Sequence, residues 1–256
     1  MSWDRNIVIK SKHELELMRE AGKVNALALD KVRDMIEPGI TTLEIDAAAE
    51  EVIRRHGGKP IFKGYPGPTP FPGTLCISIN QELVHGIPGK RKLQEGDIVS
   101  IDCGTLLGGF VGDSAFSIGV GKIDPLAQRL LDVTEKALWE GISKLHTGNR
   151  TGDVSWSIQS YVENHGFFVT REYTGHGVGR NMHEGPQVPN YGTPGRGIEL
   201  RAGMTIALEP MVLVGTPQTR VLEDQWTVES ADGSLTAHFE HSVAVTEGEP
   251  EVLTRL

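Results

Sequence analysis

The sequence predicts an α+β fold built by duplication, in which antiparallel strands from two related halves meet over a shared set of acidic side chains. Three observations carry that expectation. The phrase L-x-x-G followed by a strand ending on a carboxylate occurs twice, as Leu93-Gln-Glu-Gly-Asp-Ile-Val-Ser-Ile-Asp102 and as Leu200-Arg-Ala-Gly-Met-Thr-Ile-Ala-Leu-Glu209. The helical stretches PGITTLEIDAAAEEVIRRHGG and TGNRTGDVSWSIQSYVENHGF repeat Gly39, Thr42 and His56-Gly57 as Gly148, Thr151 and His165-Gly166 at identical spacings. Asp113, in GGFVGDSAFSIGVG, and Glu240, in SLTAHFEHSVAVTEG, then occupy corresponding strands. Caps, stops and carboxylates repeated in one order point to duplication rather than to a common turn-and-strand phrase recurring by accident.

Taken along the chain, each half reads as two amphipathic helices followed by antiparallel strands. Leu15, Met18, Ala21 and Ala28 recur at helical spacing in the first helix, and Leu126, Leu130, Val133 and Leu138 in its counterpart. Thr42 and Thr151 are expected as N-caps, because a hydroxyl there accepts from the first free helix amides. Gly57 and Gly166 are expected as the C-terminal stops. His56 and His165 fit helix ends, where the dipole favours them. Two Pro/Gly-rich stretches, GYPGPTPFPG at 64–73 and EGPQVPNYGTPGRG at 184–197, are expected as ordered loops over a cleft. The whole of 1–256 reads as one domain, with pseudo-repeats at about 12–120 and 121–248.

Composition narrows the function classes. Of 256 residues, 34 are acidic and 25 basic, a formal net charge of -9. No Lys/Arg run offers the footprint of a nucleic-acid or anionic-membrane surface. The start, MSWDRNIVIKSKHELELMRE, lacks the pattern of a cleaved leader, and no apolar stretch is long enough to span a bilayer, so a cytoplasmic location is expected. Cys76 and Cys103 are the only cysteines. They are too few for a disulfide framework and lack CxxC spacing, and are expected as small buried hydrophobes.

The acidic residues carry the chemistry. Whether Asp102 and Asp113 share a face depends on the register across the turn at 106–112. If they do, two carboxylates meet on a half-buried surface, where like charges are unfavourable unless a proton or a cation neutralises them. Duplication adds Glu209 and Glu240, so four carboxylates are expected to converge about a pseudo-twofold axis. Symmetry makes Asp102 and Glu209 terminal ligands on two separate metals, with Asp113 and Glu240 bridging. Two ions about 3.5–4 Å apart form an arrangement that hydrolyses peptide or phosphate bonds. Glu209-Pro210 suits a strand ending beside a cleft. Histidine enters through TGHGVGRNMHEGP, with His176 and His183 in a glycine-rich stretch. It is not HExxH, and one imidazole among carboxylates suits Mn(II), Fe(II) or Co(II) as well as Zn(II). His85, in INQELVHGIPG, reads by itself as a surface or satisfied histidine. Histidines 13, 56, 146, 165, 238 and 241 have no such context.

Over these motifs the chain resembles the type I methionine aminopeptidases. The resemblance runs from MREAG at 18–22 through CISIN and HGIP within 76–88, SIDCG and GD within 100–113, GHGVGRNMHEGPQV at 175–188, ALEPM at 207–211 and FEHSVAVTE at 239–247. It implies a pita-bread fold, two related halves enclosing a dinuclear metal site in an antiparallel sheet. It also implies that Asp102, Asp113, His176, Glu209 and Glu240 hold two divalent ions (Mn, Fe, Co or Zn). By the same resemblance His85 and His183 contact substrate, and Glu209 helps deprotonate the attacking water. His183 and the metals stabilise the oxyanion, and the free α-amine binds on the Asp102 side. Tyr65, Phe71, Cys76, Met182 and Trp226 fall where the family's methionine pocket is lined. The loop at 64–73 is longer than usual, and Met182 stands where an aromatic residue is often found.

The activity implied is removal of the initiator methionine from nascent chains with a small second residue, by a monomer with at most transient ribosome contact. Two alternatives stand beside it. A prolidase or Xaa-Pro aminopeptidase shares fold and ligands but usually carries a further N-terminal domain, for which the chain has no room before its first helix. A non-catalytic binding protein on this fold would have lost ligands, and all five are present.

Overall fold

The structure, a computed structural model, describes residues 7–256. The expected absence of a leader therefore lies, for residues 1–6, outside the described range. Among the described residues four helices occur: α1 (Lys12–Arg33), α2 (Thr42–Arg55), α3 (Pro125–Ile142) and α4 (Thr151–Asn164). The strands of the first half are β1 (Lys59–Pro60), β2 (Leu75–Ile79), β3 (Glu82–Val84), β4 (Ile98–Leu107) and β5 (Phe110–Gly119). Those that follow are β6 (Phe168–Val169), β7 (Thr174–Gly177), β8 (Glu184–Pro189), β9 (Thr205–Leu208), β10 (Met211–Leu213), β11 (Thr219–Val221), β12 (Val228–Ser230), β13 (Thr236–His238), β14 (Glu240–Ala244) and β15 (Glu251–Val252).

The duplication is visible in matched hydrogen bonds. Gly39 N donates to Leu93 O at 2.8 Å, and Gly148 N to Leu200 O at 3.0 Å. His56 and His165 each close a helix, with Nδ1 on Val52 O and Tyr161 O, and Gly57 and Gly166 follow at φ 79° and 80°. These are the left-handed positions that favour glycine. The expected caps lie one residue out of place. Thr41 caps α2 in a reciprocal box with Glu44, and Arg150 precedes α4, its N–H donating to Asp153. Thr42 and Thr151 are instead the first helical residues. Their hydroxyls face the neighbouring loop: Thr42 donates to Gly89 O and accepts from Gly89 N, and Thr151 accepts from Ile198 N. Of the expected apolar positions, Met18, Ala21, Ala28, Leu130, Val133 and Leu138 are buried. Leu126, in the first turn of α3, is exposed.

The main sheet runs β1-β4-β5-β14-β9-β7-β8, with β2 also on β4 and β15 on β14. All its pairings are antiparallel. Part of the stretch expected as a loop at 184–197 is thus β8. It tolerates Pro186 and Pro189 because it lies at the edge of the sheet, laddered to β7 with a register shift beside Gly177 and joined on its other side by a single bridge from Ile7 to Gly185. Two small sheets, β13-β10-β6 and β11-β12-β3, flank the main one.

The β4–β5 hairpin settles the question of faces. Leu107 pairs with Phe110 around Gly108 and Gly109, which both have positive φ. Such a two-residue turn matches the strands' twist and fixes the register. Asp102 therefore lies opposite Ala115, and Asp113 opposite Gly104, on one face. Glu240 is also opposite Ala115, and Ser242 and His176 are both opposite Ala207. The other face packs on the helices, with Ile101, Cys103 and Phe116 in the core. There the buried Asn25 of α1 donates to Gly112 O and Cys103 O, and accepts from Ser114.

Candidate active site

A cavity of about 380 Å³ opens over the carboxylate face. Asp102, Asp113, His176, Glu209 and Glu240 all line it, as do His85 and His183. Its apolar side is formed in part by Tyr65, Phe71, Cys76, Met182 and Trp226. Every site residue expected from the sequence thus borders one space.

Local chemistry holds each group. Asp113 is fixed through its backbone, whose N–H and C=O both bond the Ser242 hydroxyl, at 3.1 and 2.8 Å. Glu209 leaves β9 just before Pro210, which has no N–H for the ladder. Asn190 bridges the break, donating to Glu209 O at 3.0 Å and accepting from Met211 N at 2.8 Å. His176 has Nδ1 2.9 Å from Gly177 O, so that ring nitrogen is the donor. Its Nε2 faces the cluster, 3.5 Å from Glu209 Oε1 and 3.8 Å from Asp113 Oδ2.

Burial dominates the electrostatics. It pushes the Asp102 carboxyl up to about 7. Asp113, Glu209 and Glu240 are raised well above the carboxylate range, first by burial and then by one another's charge and that of Asp102. Burial also pulls His176 down to about 3 and His85 to about 4, so both are neutral. Asp102 Oδ1, Asp113 Oδ1 and Glu240 Oε1 are buried with no hydrogen-bond donor. Buried carboxylate oxygens without donors are unfavourable unless a cation serves them. Ligand atoms of Asp113, His176 and Glu240 lie within 4.8 Å of one another. The orphaned oxygens and the neutral imidazole therefore fit a divalent cation of oxygen-preferring character.

His238 was assigned no role by its sequence context, and that reading is corrected. It is 2 % exposed, lines the cavity, and has Nε2 3.7 Å from Glu209 Oε2 and 3.9 Å from Glu240 Oε2. Burial brings it down to about 3, and its Nε2 has no hydrogen-bond partner. The signal was its spacing of two from Glu240, the strand period. His85 is equally unlike a satisfied surface residue, adopting φ 61° with its ring edge-on to Tyr173 and Trp226. A left-handed non-glycine residue is a strained placement of the kind that concentrates at functional sites. Sequence reasoning also missed Phe62 and Tyr173 in the cavity wall. Cys76 and Cys103 are buried free thiols, as expected.

An antiparallel sheet with acidic residues from both halves on one face, beneath a largely apolar cavity, defines a metal-dependent hydrolase of the pita-bread class. The chain belongs to metallopeptidase family M24, whose model matches residues 16–247. It is similar to the methionine aminopeptidase of Clostridium perfringens, 49% identical over 248 residues and covering 97% of this chain and 98% of that one. Methionine aminopeptidase 1 of Bacillus subtilis is 48% identical, over 98% of this chain and 100% of the relative. Among solved structures, the methionine aminopeptidase of Thermotoga maritima superposes with a TM-score of 0.95 at 47% identity, covering 98% of this chain and 100% of that one.

Proposed function

We infer that this protein is a methionine aminopeptidase, an exopeptidase that hydrolyses the first peptide bond of polypeptides beginning with methionine. The observation that carries this reading is the juxtaposition of a largely apolar recess with buried carboxylates that lack donors. A prolidase-type activity on Xaa-Pro substrates is not favoured, because the full-length likeness is to methionine aminopeptidases.

Asp102, Asp113, His176, Glu209 and Glu240 would hold the metal, and two ions are proposed. When bound, a divalent ion supplies Lewis-acid polarisation of the scissile carbonyl and eases deprotonation of water. The chain's own groups do the rest. Met182, Phe71, Cys76 and Trp226 accept a flexible thioether, for which aromatic and sulfur contacts are favourable. The free α-amine would bind on the Asp102 side of the metal site, which accounts for a requirement for the first residue of a chain. Glu209, ionised once a cation occupies the cluster, would take up a proton from the attacking water. His85 and His183 are neutral through burial and present N–H groups to the substrate carbonyl as charge develops on it.

Several finer points belong to the same proposal. The chain is one catalytic domain with repeats at about 12–120 and 121–248. It works as a monomer in the cytoplasm on nascent chains with a small second residue, with transient ribosome contact. Mn, Fe, Co or Zn serves as the ion. Among the described residues no helix is long and apolar enough to cross a membrane.

The test is release of methionine from Met-Ala-Ser by metal-loaded protein, compared with Met-Leu-Ser and an Xaa-Pro dipeptide. Fast cleavage of the first alone is expected. Preference for the Xaa-Pro dipeptide would overturn the assignment.

A further inference from the structure

The Tyr65 phenol oxygen lies 2.7 Å from His183 Nδ1, and the rings meet edge-on, with centroids 5.7 Å apart at 79°. A contact that short between Oη and Nδ1 is a hydrogen bond in which one atom donates and the other accepts. Between a neutral phenol and a neutral imidazole, the O–H is the better donor and the bare ring nitrogen the better acceptor. The proton on the ring is then on Nε2.

We propose that Tyr65 is a positioning residue, donating to His183 Nδ1 and so holding that imidazole as the Nε2–H tautomer, oriented over the carboxylate cluster. This rests on the reading above, in which His183 donates to the substrate carbonyl. The opposite tautomer would turn a lone pair toward a developing negative charge and lose that stabilisation.

Tyr65 is itself held by the loop that walls the cavity. Its N–H donates to Phe62 O and its C=O accepts from Phe71 N, while Gly64 N donates to Phe71 O. Trp226 Nε1 donates to Thr69 O at 2.9 Å, and a Cβ on Gly67 would overlap the Trp226 ring. Phe71 packs edge-on against the same indole, with centroids 5.2 Å apart. One latched loop therefore shapes the side-chain pocket and delivers the hydrogen bond to His183, two tasks that a plain wall residue would not combine.

Tyr65→Phe removes the hydroxyl and keeps the wall. Two readouts decide the matter. The first is the ¹⁵N spectrum of histidine-labelled protein, with His183 assigned by its loss in His183→Gln, recorded on Zn(II)-loaded protein and again after chelation. The wild type is expected to show an unprotonated Nδ1 and a protonated Nε2 on His183 in both states, and Tyr65→Phe a mixture of tautomers. The second is steady-state cleavage of Met-Ala-Ser, where kcat should fall about tenfold or more while KM moves by less than about twofold. Protonation at Nδ1 in the wild type, or an unchanged tautomer together with unchanged kcat in Tyr65→Phe, would overturn the proposal. Absence of Met-Ala-Ser cleavage by wild type would instead sink the functional reading, leaving the spectrum to decide the tautomer.

Discussion

Lys10 and Glu184 form an ion pair at 2.6 Å with side chains only 1% and 4% exposed, one residue from His183. Burial lowers the Lys10 ammonium, and the Glu184 carboxylate opposes that effect. Glu184 also accepts from Asn181 N, so the pair ties the segment before α1 to the turn that carries His183. Lys10→Met keeps the shape but leaves a buried carboxylate unpaired, which should cost about 3–5 kcal/mol in thermal or denaturant unfolding. Lys10→Met/Glu184→Gln should recover part of that loss. At this scale the sequence was legible where residues had local context. The four acidic residues and His176 that border the cavity, the cysteines and the helix stops were readable from their neighbours. His238 was passed over because β13 ends at it and β14 begins at Glu240, so that its spacing of two from Glu240 is the one local mark it carries. The partnership of Tyr65 with His183 spans 118 residues and leaves no local trace.

Elements place these side chains through close contacts that tolerate little change. Helix α1 crosses β5 so tightly that a Cβ on Gly112 would come 2.7 Å from the Gly22 backbone. Gly112 adjoins Asp113, and its carbonyl is held by Asn25. Gly112→Ala should therefore destabilise the protein by about 1–3 kcal/mol. It should also weaken metal binding, measured by titration under conditions where the variant remains folded. Gly108→Ala, at φ 59° in the turn itself, strains the same hairpin and meets α1 only in an ordinary contact with the Leu17 side chain, at 3.5 Å. The glycine pair at this turn was the sequence signal for the register that aligns Asp102 with Asp113. The caps were misplaced by one residue because in Arg150-Thr151 the one hydroxyl present lies inside the helix and not at its cap, while Thr41-Thr42 offers two adjacent hydroxyls. Only the neighbouring loop, which needs the second hydroxyl, decides between them.

At the scale of the whole molecule, the two halves donate carboxylates to one buried place, and the resulting repulsion is the feature most directly tied to function. Without a cation, Asp102 titrates near 7 instead of its ordinary 3.8, and its three partners titrate well above their ordinary range. Protons therefore occupy the cluster below about pH 7, and a metal must displace them. His85, His176 and His238, held near 3 to 4, are neutral from pH 6 upward and add no opposing proton exchange. Affinity for a divalent ion must then rise with pH. Calorimetric titration of Mn(II) into chelator-stripped protein at pH 6 and pH 8 tests this most directly. Binding with proton release, at least about tenfold tighter at pH 8 and abolished in Asp113→Ala, is the result predicted. No uptake at either pH, or uptake of the same strength at both and unaffected by Asp113→Ala, would contradict it.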